Sequence, residues 1–156
     1  MTRRAAPARE QPETSTAGPD ESPGFLLWRV TLQWQRVIVA ALRPLGLTHV
    51  QFVLLASVWW LAAVANEEPT QRRVAEHAGT DPMMTSQVLR ALEVKRLVTR
   101  KPDPDDSRAR RLGITPRGAA LAQRAIDIVE AADTGFFEAA GDRRALLRTL
   151  HRLDSR

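Results

Sequence analysis

Cysteine is absent from this 156-residue chain. Its absence excludes a disulfide framework, a thiolate metal site and regulation by thiol oxidation. The three histidines, His49, His77 and His151, lack the spacing of metal ligands and have no cysteines to join them. The sequence therefore predicts a protein without a metal or other cofactor.

Lysine is nearly absent, since it occurs only as Lys95 and Lys101. Lysine and arginine together nevertheless number 23 against 18 acidic residues, so arginine carries almost all of a formal net charge of +5. The planar guanidinium suits bidentate contacts with phosphate and guanine, and this bias points toward nucleic acid. A GC-rich coding sequence also enriches arginine, so composition alone does not decide between these explanations.

Long apolar runs and enzyme motifs are missing as well. The most hydrophobic segment, residues 50–65, is shorter than the roughly 20 residues that a membrane span needs, and it reads as a buried helix. The pair Arg3-Arg4 has no apolar run behind it, so no export signal is predicted and we expect a cytoplasmic protein without a membrane partner. Paired carboxylates in an apolar setting, a nucleophile motif and a glycine-rich phosphate loop are all lacking, which argues against an enzyme.

What is present divides into a tail and one domain. Residues 1–23 contain almost no large apolar side chains and are predicted to form a disordered tail, while residues 24–156 form the domain. An amphipathic helix is predicted over residues 25–45, and a helix that is apolar nearly all round over residues 49–64. A helix without a polar face must be covered on several sides, so the second helix is expected at the centre of the domain.

Residues 69–96 have the pattern of a helix-turn-helix. A short helix begins near Thr70 and ends at Gly79, which suits a left-handed turn. Asp81 and Pro82 then occupy the N-cap and first helical positions of a second helix. Its inward stripe is predicted to be Thr85, Val88, Leu89 and Leu92. Its outward face, which would enter a major groove, comprises Met83, Ser86, Gln87 and Arg90.

A β-hairpin follows the second helix. Residues 97–101 and 111–114 have strand patterns, and the segment between them is dense in proline, aspartate and serine. Together with the two helices this hairpin makes a winged helix-turn-helix, so the predicted fold class is mainly α with a small β-wing. Two further helices, over residues 116–132 and 142–153, show no obvious mate in so small a domain. We expect them to form an intersubunit bundle with the first helix.

Several motifs resemble the MarR family of bacterial transcription regulators. They are TQRRVAEHAG and MMTSQVLRALE in the helix-turn-helix, Pro104-x-Asp106-x-Arg108 in the wing, and Leu112-x-Ile114-Thr115 followed by Gly118. The resemblance implies a winged-helix homodimer that binds a pseudopalindromic operator, with residues 24–47 and 115–156 dimerising and residues 48–114 binding DNA through a wing at 97–114. It also implies that Arg108 enters the minor groove, oriented by Asp106.

One position departs from the family pattern. The family commonly has glycine between the recognition helix and the first strand, where this chain has Arg96. A residue other than glycine costs roughly 1–2 kcal/mol in a left-handed turn. Either the turn differs here or the fold absorbs the cost.

Further DNA contacts are assigned by residue chemistry. Arg110 and Arg111 are additional minor-groove candidates. Thr70, Gln71 and Arg72 begin a helix, where backbone N–H groups suit a phosphate. We expect base contacts from Gln87 and Ser86, whereas Arg90 fits a base or a phosphate equally well.

The resemblance also implies a ligand site. Many members of the resembled family release DNA when a small anionic or aromatic molecule binds. Trp59 and Trp60 are adjacent, so they must face different surroundings, and one of them is a ligand candidate together with His49 or Arg43.

The sequence thus predicts a DNA-binding transcription regulator, and we expect a repressor that acts as a homodimer. Its partners would be double-stranded DNA, a second copy of the chain and a small aromatic or anionic ligand. The alternative is a winged-helix interaction or assembly module whose basic surface meets an acidic partner.

Overall fold

Helices account for most of the chain in the computed structural model, which describes residues 18–104, 106 and 109–155. In chain order the elements are α1 (Pro23–Leu42), α2 (His49–Trp59), α3 (Gln71–Ala78), α4 (Pro82–Val94), β1 (Val98–Pro102), β2 (Arg110–Ile114), α5 (Pro116–Phe137) and α6 (Arg143–Asp154). Most of the predicted N-terminal tail lies outside the described residues. Within them, no single helix is both long and apolar enough to span a membrane.

The chain divides into two compact units, Met1–Gln33 and Trp34–Arg156. The described part of the first unit contains a 3-10 turn, Pro19–Glu21, and the start of α1. Arg29 forms an ion pair with Asp20 at 2.9 Å and places its guanidinium 5.8 Å from the ring centroid of Phe25. The apolar side chains from Phe25 to Val30 are exposed, so no described residue of this unit covers them.

Helix α2 occupies the centre of the second unit, as its apolar circumference predicts. It contacts α3, α4, α5 and β2, and Leu54, Leu55 and Val58 are fully buried. Thr48 caps its first turn by a reciprocal pair of hydrogen bonds with Gln51. The predicted extension to residue 64 is helical, but its last turn, Trp60–Val64, is a π-helix.

Helix α5 corrects one expectation. It runs five residues beyond its predicted end, and its Ala122, Ala125 and Val129 are buried in the contact with α2. The prediction that α5 lacks a mate within the domain is therefore wrong. The buried stripe is made of small side chains, which let α5 approach α2 closely.

Helix α6, in contrast to α5, has an apolar stripe that no other described helix covers. It has no buried residue in the described chain, and Leu147, Leu150 and Leu153 are each more than 40% exposed. The rest of the described chain leaves this apolar stripe uncovered.

The helix-turn-helix and wing are confirmed. Asp81 caps α4 by accepting from the backbone N–H groups of Met83 and Met84, both at 2.9 Å. Strands β1 and β2 pair antiparallel from Val98–Ile114 to Pro102–Arg110. The N–H of Leu112 also donates to the Pro69 carbonyl at 2.8 Å, so the segment before α3 extends this small sheet.

Arg96 adopts the left-handed conformation, with a φ of 58°. The N–H of Leu97 donates to the Leu92 carbonyl at 3.0 Å, and the N–H of Arg96 donates to the Glu93 carbonyl at 2.8 Å. These two bonds form the Schellman motif, which satisfies carbonyls at the end of α4. The fold therefore keeps the turn and bears the cost of a side chain in it.

Gly118 lies where α5 approaches the end of this turn. A Cβ at this position would overlap the carbonyl oxygen of Leu97 and lie 2.8 Å from its carbonyl carbon. Thr115 holds the same carbonyl, since its N–H donates at 3.1 Å and its hydroxyl at 3.0 Å. Glycine is required here because of close backbone approach.

We expect Arg96→Gly to raise the free energy of unfolding by about 1 kcal/mol, because glycine adopts the left-handed turn without steric cost. Urea denaturation monitored by tryptophan fluorescence measures the change. Arg96→Ala is the control, since it removes the charged side chain but keeps a Cβ. Equal stabilisation by both variants would attribute the effect to the side chain's charge and contradict the turn argument.

We expect Gly118→Ala to lower the free energy of unfolding by more than about 2 kcal/mol, of the order found for steric overpacking. Gly135 lies in the same helix, and a Cβ added there would have no atom within 4 Å. Gly135→Ala is the matched control and should stabilise α5 by roughly 0.5–1 kcal/mol. A stable Gly118→Ala protein in the same denaturation assay would show that α5 can move away from Leu97.

Candidate nucleic-acid interface

Three elements enclose a cleft of about 720 Å³ on one side of the second unit. They are the beginning of α3, the outward face of α4 and the wing. The cleft is lined by Thr70, Gln71, Arg72, Ser86, Arg90, Arg100, Asp103, Asp106, Ala109, Arg110 and Arg111. Residues that the sequence assigned separately to the phosphate, base and wing contacts thus meet on one surface.

The inner face of helix α4 is buried in the core, and its outer face is exposed to solvent. Thr85, Leu89 and Leu92 are fully buried, and the Thr85 hydroxyl donates to the Asp81 carbonyl at 2.7 Å. On the outer face Met83 is 72% exposed, and Gln87 and Arg90 are also exposed. Residues three and four apart share a helix face, which places these three side chains together.

The four residues of α4 that were predicted to contact DNA lie in two different places. Ser86 and Arg90 line the cleft beside the wing, whereas Met83 and Gln87 lie outside it on the exposed face. Arg90 forms no side-chain hydrogen bond or ion pair with any described residue. Its guanidinium is therefore available to a partner molecule.

The start of α3 contributes a second group. The Thr70 hydroxyl accepts from the Arg73 N–H at 3.2 Å and caps the helix. Arg72 pairs with Glu76 at 2.8 Å, and this hydrogen bond raises the pKa of Arg72 further above its ordinary value. The Arg72 side chain is still 88% exposed, so the surface ion pair leaves it accessible.

The wing supplies a third group, although Arg108 lies outside the described residues. Asp106 and Arg110 line the cleft. Within the loop the Asp106 N–H donates to Asp103 Oδ1 at 3.3 Å, and the Asp106 carbonyl accepts from the Ala109 N–H at 2.9 Å. These bonds order the described residues on either side of the loop.

Arg111 is bound by two carboxylates of the protein itself, which a residue that only contacts DNA does not need. It donates to Asp103 at 2.8 Å and to Glu68 at 2.6 Å, and these two hydrogen bonds raise its pKa. The Asp103 side chain is only 8% exposed. The ion pairs join the base of the wing to the segment before α3, a structural role that sequence reasoning did not assign to Arg111.

Arg100 is the residue in the cleft that sequence reasoning missed. It donates from Nη2 to Gln71 Oε1 at 3.0 Å, lies 3.6 Å from Glu93 Oε2, and its side chain is only 13% exposed. The available signal was the alternation of β1, because Arg100 is two residues from buried Val98 and shares its side of the strand. Glu68 and Asp103 carried no comparable pattern.

The sequence model of the MarR family matches residues 47–109. The chain is also 42% identical to the uncharacterized HTH-type transcriptional regulator YdcH of Bacillus subtilis, over 88% of this chain and 92% of that protein. It belongs to the MarR family. A further relative is the HTH-type transcriptional repressor Rv2887 of Mycobacterium tuberculosis, 35% identical over 87% of this chain and 96% of the relative. The resemblance drawn from the motifs is thereby confirmed, and the chain is a MarR-type transcription regulator.

Solved MarR-type structures share the fold. CouR of Rhodococcus jostii RHA1, bound to p-coumaroyl-CoA, has a TM-score of 0.75 and 28% identity, covering 90% of this chain and 94% of CouR. Rv2887 in complex with salicylic acid has a TM-score of 0.63 and 34% identity, covering 85% and 96%. A mutant of E. coli MarR complexed with operator DNA has a TM-score of 0.72 and 25% identity, covering 86% and 94%.

The four ligand candidates do not form one site. His49 is the first residue of α2 and Trp59 the last, so about 15 Å of helix separates them at 1.5 Å per residue. Trp59 packs against the core whereas Trp60 is 49% exposed, in agreement with the expectation that they face different surroundings. Arg43 precedes α2 in the chain and so belongs with the His49 end. The four candidates therefore fall into two groups, the tryptophan pair and the His49 end.

The His49 end carries a small polar and aromatic cluster. The Trp34 indole N–H donates to Asp133 Oδ1 at 2.6 Å, and the Trp34 ring lies edge-on to the His49 ring with 5.1 Å between centroids. Burial lowers the pKa of His49, and the nearby Asp133 charge opposes that shift without cancelling it. The neutral imidazole is thus favoured in the folded protein.

The pH dependence of stability follows from this shift. The folded-state pKa of His49 is below its unfolded value of 6.5, so acid favours the unfolded chain as the pH falls through that value. We expect wild type to lose stability between about pH 8 and about pH 5.5, and His49→Gln to lose less. Urea denaturation at both pH values measures this, with His77→Gln as the control for an exposed histidine. Parallel losses in wild type and His49→Gln would contradict the prediction.

Proposed function

We propose that this protein is a sequence-specific repressor that binds a pseudopalindromic operator as a homodimer. The observation that carries the proposal is the cleft, where the start of α3, the exposed face of α4 and the wing lie side by side with five arginines, Arg72, Arg90, Arg100, Arg110 and Arg111. Guanidinium groups neutralise phosphates, and a protruding helix beside them fits a major groove. A repressor relative and an operator-bound member of the family support the same interpretation.

Within this proposal the side chains divide between reading bases and contacting the backbone. Gln87 is exposed on the outer face of α4 and has the amide that pairs with adenine in a bidentate manner. Ser86, Met83 and Arg90 lie beside it on the same helix. Thr70, Gln71 and Arg72 contact a phosphate at the start of α3, and the wing, with Asp106, Arg108 and Arg110, contacts the adjacent minor groove. Arg111 supports the wing from its base.

The dimer is proposed from uncovered apolar surface. Leu147, Leu150 and Leu153 of α6 are exposed at helical spacing, and in the first unit the apolar side chains of α1 are exposed as well. Uncovered apolar surface on a helix is typical of an interaction site. Residues 24–47 and 115–156 therefore dimerise, and residues 48–114 form the DNA-binding lobe. Two lobes related by a two-fold axis require half-sites about one helical turn, roughly 34 Å, apart or a multiple of it.

A ligand and a location complete the proposal. Salicylic acid and p-coumaroyl-CoA are bound by Rv2887 and CouR respectively, and both molecules are aromatic and anionic. We propose that a small molecule of this chemistry releases the operator, and that the protein acts in the cytoplasm, where its DNA is. The two candidate positions are the His49 end of α2 and the exposed Trp60.

Binding to duplex DNA tests the function directly. An operator selected from random duplexes should bind wild type with an affinity that falls linearly on a log–log plot against salt, with a slope of about 0.9 per neutralised phosphate. Gln87→Ala should lose about 1–3 kcal/mol of discrimination at one base pair in each half-site and leave other positions unchanged. Fluorescence anisotropy across single-base operator variants measures both effects.

Gln123→Ala is the matched control, because Gln123 is an exposed glutamine on α5, outside the DNA-binding lobe. Its discrimination between bases should match wild type, because a change in the proposed dimerisation segment would alter binding to every operator variant equally. If wild type showed no salt-dependent duplex binding, the alternative of an interaction module for an acidic partner would replace the repressor. An equal loss by Gln87→Ala at every base would instead make Gln87 a backbone contact.

A further inference from the structure

Arg100 is buried in a way that a stabilising role does not explain. It lies on the inward side of β1, its side chain is 13% exposed, and its Nε–H is buried without a hydrogen-bond partner in the described chain. An unsatisfied buried donor costs stability, and apolar residues of similar size often replace buried ions without loss. The guanidinium does, however, make specific contacts with Gln71 and Glu93.

The side chain whose orientation depends on Arg100 is Gln71. Arginine has only donors, so the oxygen of the Gln71 amide, and not its nitrogen, must face Arg100 Nη2 at 3.0 Å. This bond fixes the orientation of an amide that would otherwise be able to flip. The Gln71 amide NH₂ makes no hydrogen bond with any described residue, and Gln71 lines the cleft as the first residue of α3. Both of its N–H donors thus remain available to a molecule in the cleft.

The guanidinium also reaches the recognition helix. Its Nη1 lies 3.6 Å from Glu93 Oε2 on α4, while its backbone belongs to β1. One side chain on the wing strand is consequently joined to the first residue of α3 and to the second-last residue of α4. The Gln71 amide is therefore oriented by a side chain that also contacts α4, the helix proposed to read bases.

We propose that Arg100 is a positioning residue, which orients the Gln71 amide so that its NH₂ donates to a DNA backbone phosphate. The inference rests on the proposed function, because it names how one phosphate contact of that interface is prepared. Arg100 adds to the positive charge of the cleft lining, but its Nε is buried, its Nη2 donates to Gln71 and its Nη1 lies 3.6 Å from Glu93, so its role in the proposal is to position Gln71.

A double-mutant cycle on the full-length protein tests the proposal. Gln71→Met, Arg100→Met and the double variant are compared with wild type for affinity to the selected operator. Gln71→Met should weaken binding roughly tenfold, the size expected for one hydrogen bond to a charged group. Arg100→Met should lose at least as much, and adding Gln71→Met to it should cost nothing further, because the amide is already unoriented.

Two readouts separate positioning from a general loss of structure. The melting temperature of Arg100→Met should equal or exceed that of wild type, since methionine fills the site without an orphaned donor. The salt slope of Gln71→Met should match wild type, because a neutral donor displaces no counterion, whereas a distorted interface loses several phosphate contacts and flattens the slope.

Gln71→Glu gives an independent test that leaves Arg100 in place. A glutamate retains the acceptor for Arg100 but replaces the NH₂ donors with an oxygen that repels phosphate, so the fold should persist and binding should fall by more than in Gln71→Met. Val94→Glu, at an 83% exposed position of α4 that does not line the cleft, adds the same charge and should bind like wild type.

The outcomes are distinguishable. Additive losses in the cycle, or equal binding by wild type and Gln71→Glu, would overturn the role of Arg100 while the repressor assignment stands. A loss of affinity that tracks a lowered melting temperature in Arg100→Met would make Arg100 a structural residue and overturn the inference as well. Absence of duplex binding by wild type would reject the proposed function and the inference with it.

Discussion

The carbonyl group of Leu97 is the point on which the arrangement of the DNA-binding elements depends. It follows the left-handed residue Arg96, it accepts two hydrogen bonds from Thr115, and it lies against the Cα of Gly118. The end of α4, the start of β1 and the start of α5 are thereby fixed at one joint. Because a Cβ at Gly118 would overlap the Leu97 carbonyl oxygen, this backbone contact leaves little freedom in how the start of α5 approaches the turn after α4.

Features that arise within a few residues could be predicted from the sequence. The caps Thr48, Asp81 and Thr115 bond to backbone N–H groups two or three residues away, so their side chains and their helices are read together. The inner stripe of α4 follows from helical periodicity, and the departure at Arg96 marks the turn that the fold retains. For the same reason the order of elements and the winged-helix class were accessible from one sequence.

Features that depend on distant pairings could not be predicted. Arg111 has the chemistry of a DNA contact, but Glu68, 43 residues earlier in the chain, binds part of its guanidinium. Arg100 meets Gln71 across 29 residues. Helix α5 buries Ala122, Ala125 and Val129, and its sequence does not tell that the mate of this stripe is α2 of the same chain. The ligand candidates do not form one site because His49 and Trp59 lie at opposite ends of α2. The chemistry of the individual side chains gives no information about the distance between them.

The preference of the chain for arginine over lysine is complete in the cleft, where every basic side chain in the described lining is an arginine. Acetylation of lysine, a common way to erase positive charge from a DNA-binding surface, has no substrate there. Lys95 donates its ammonium protons to the Gly46 carbonyl and to Gln51, away from the cleft, and Lys101 is not part of the lining. Guanidinium groups also stay protonated at any physiological pH. Lysine acetylation and ordinary changes of pH therefore leave the positive charge of this lining unchanged.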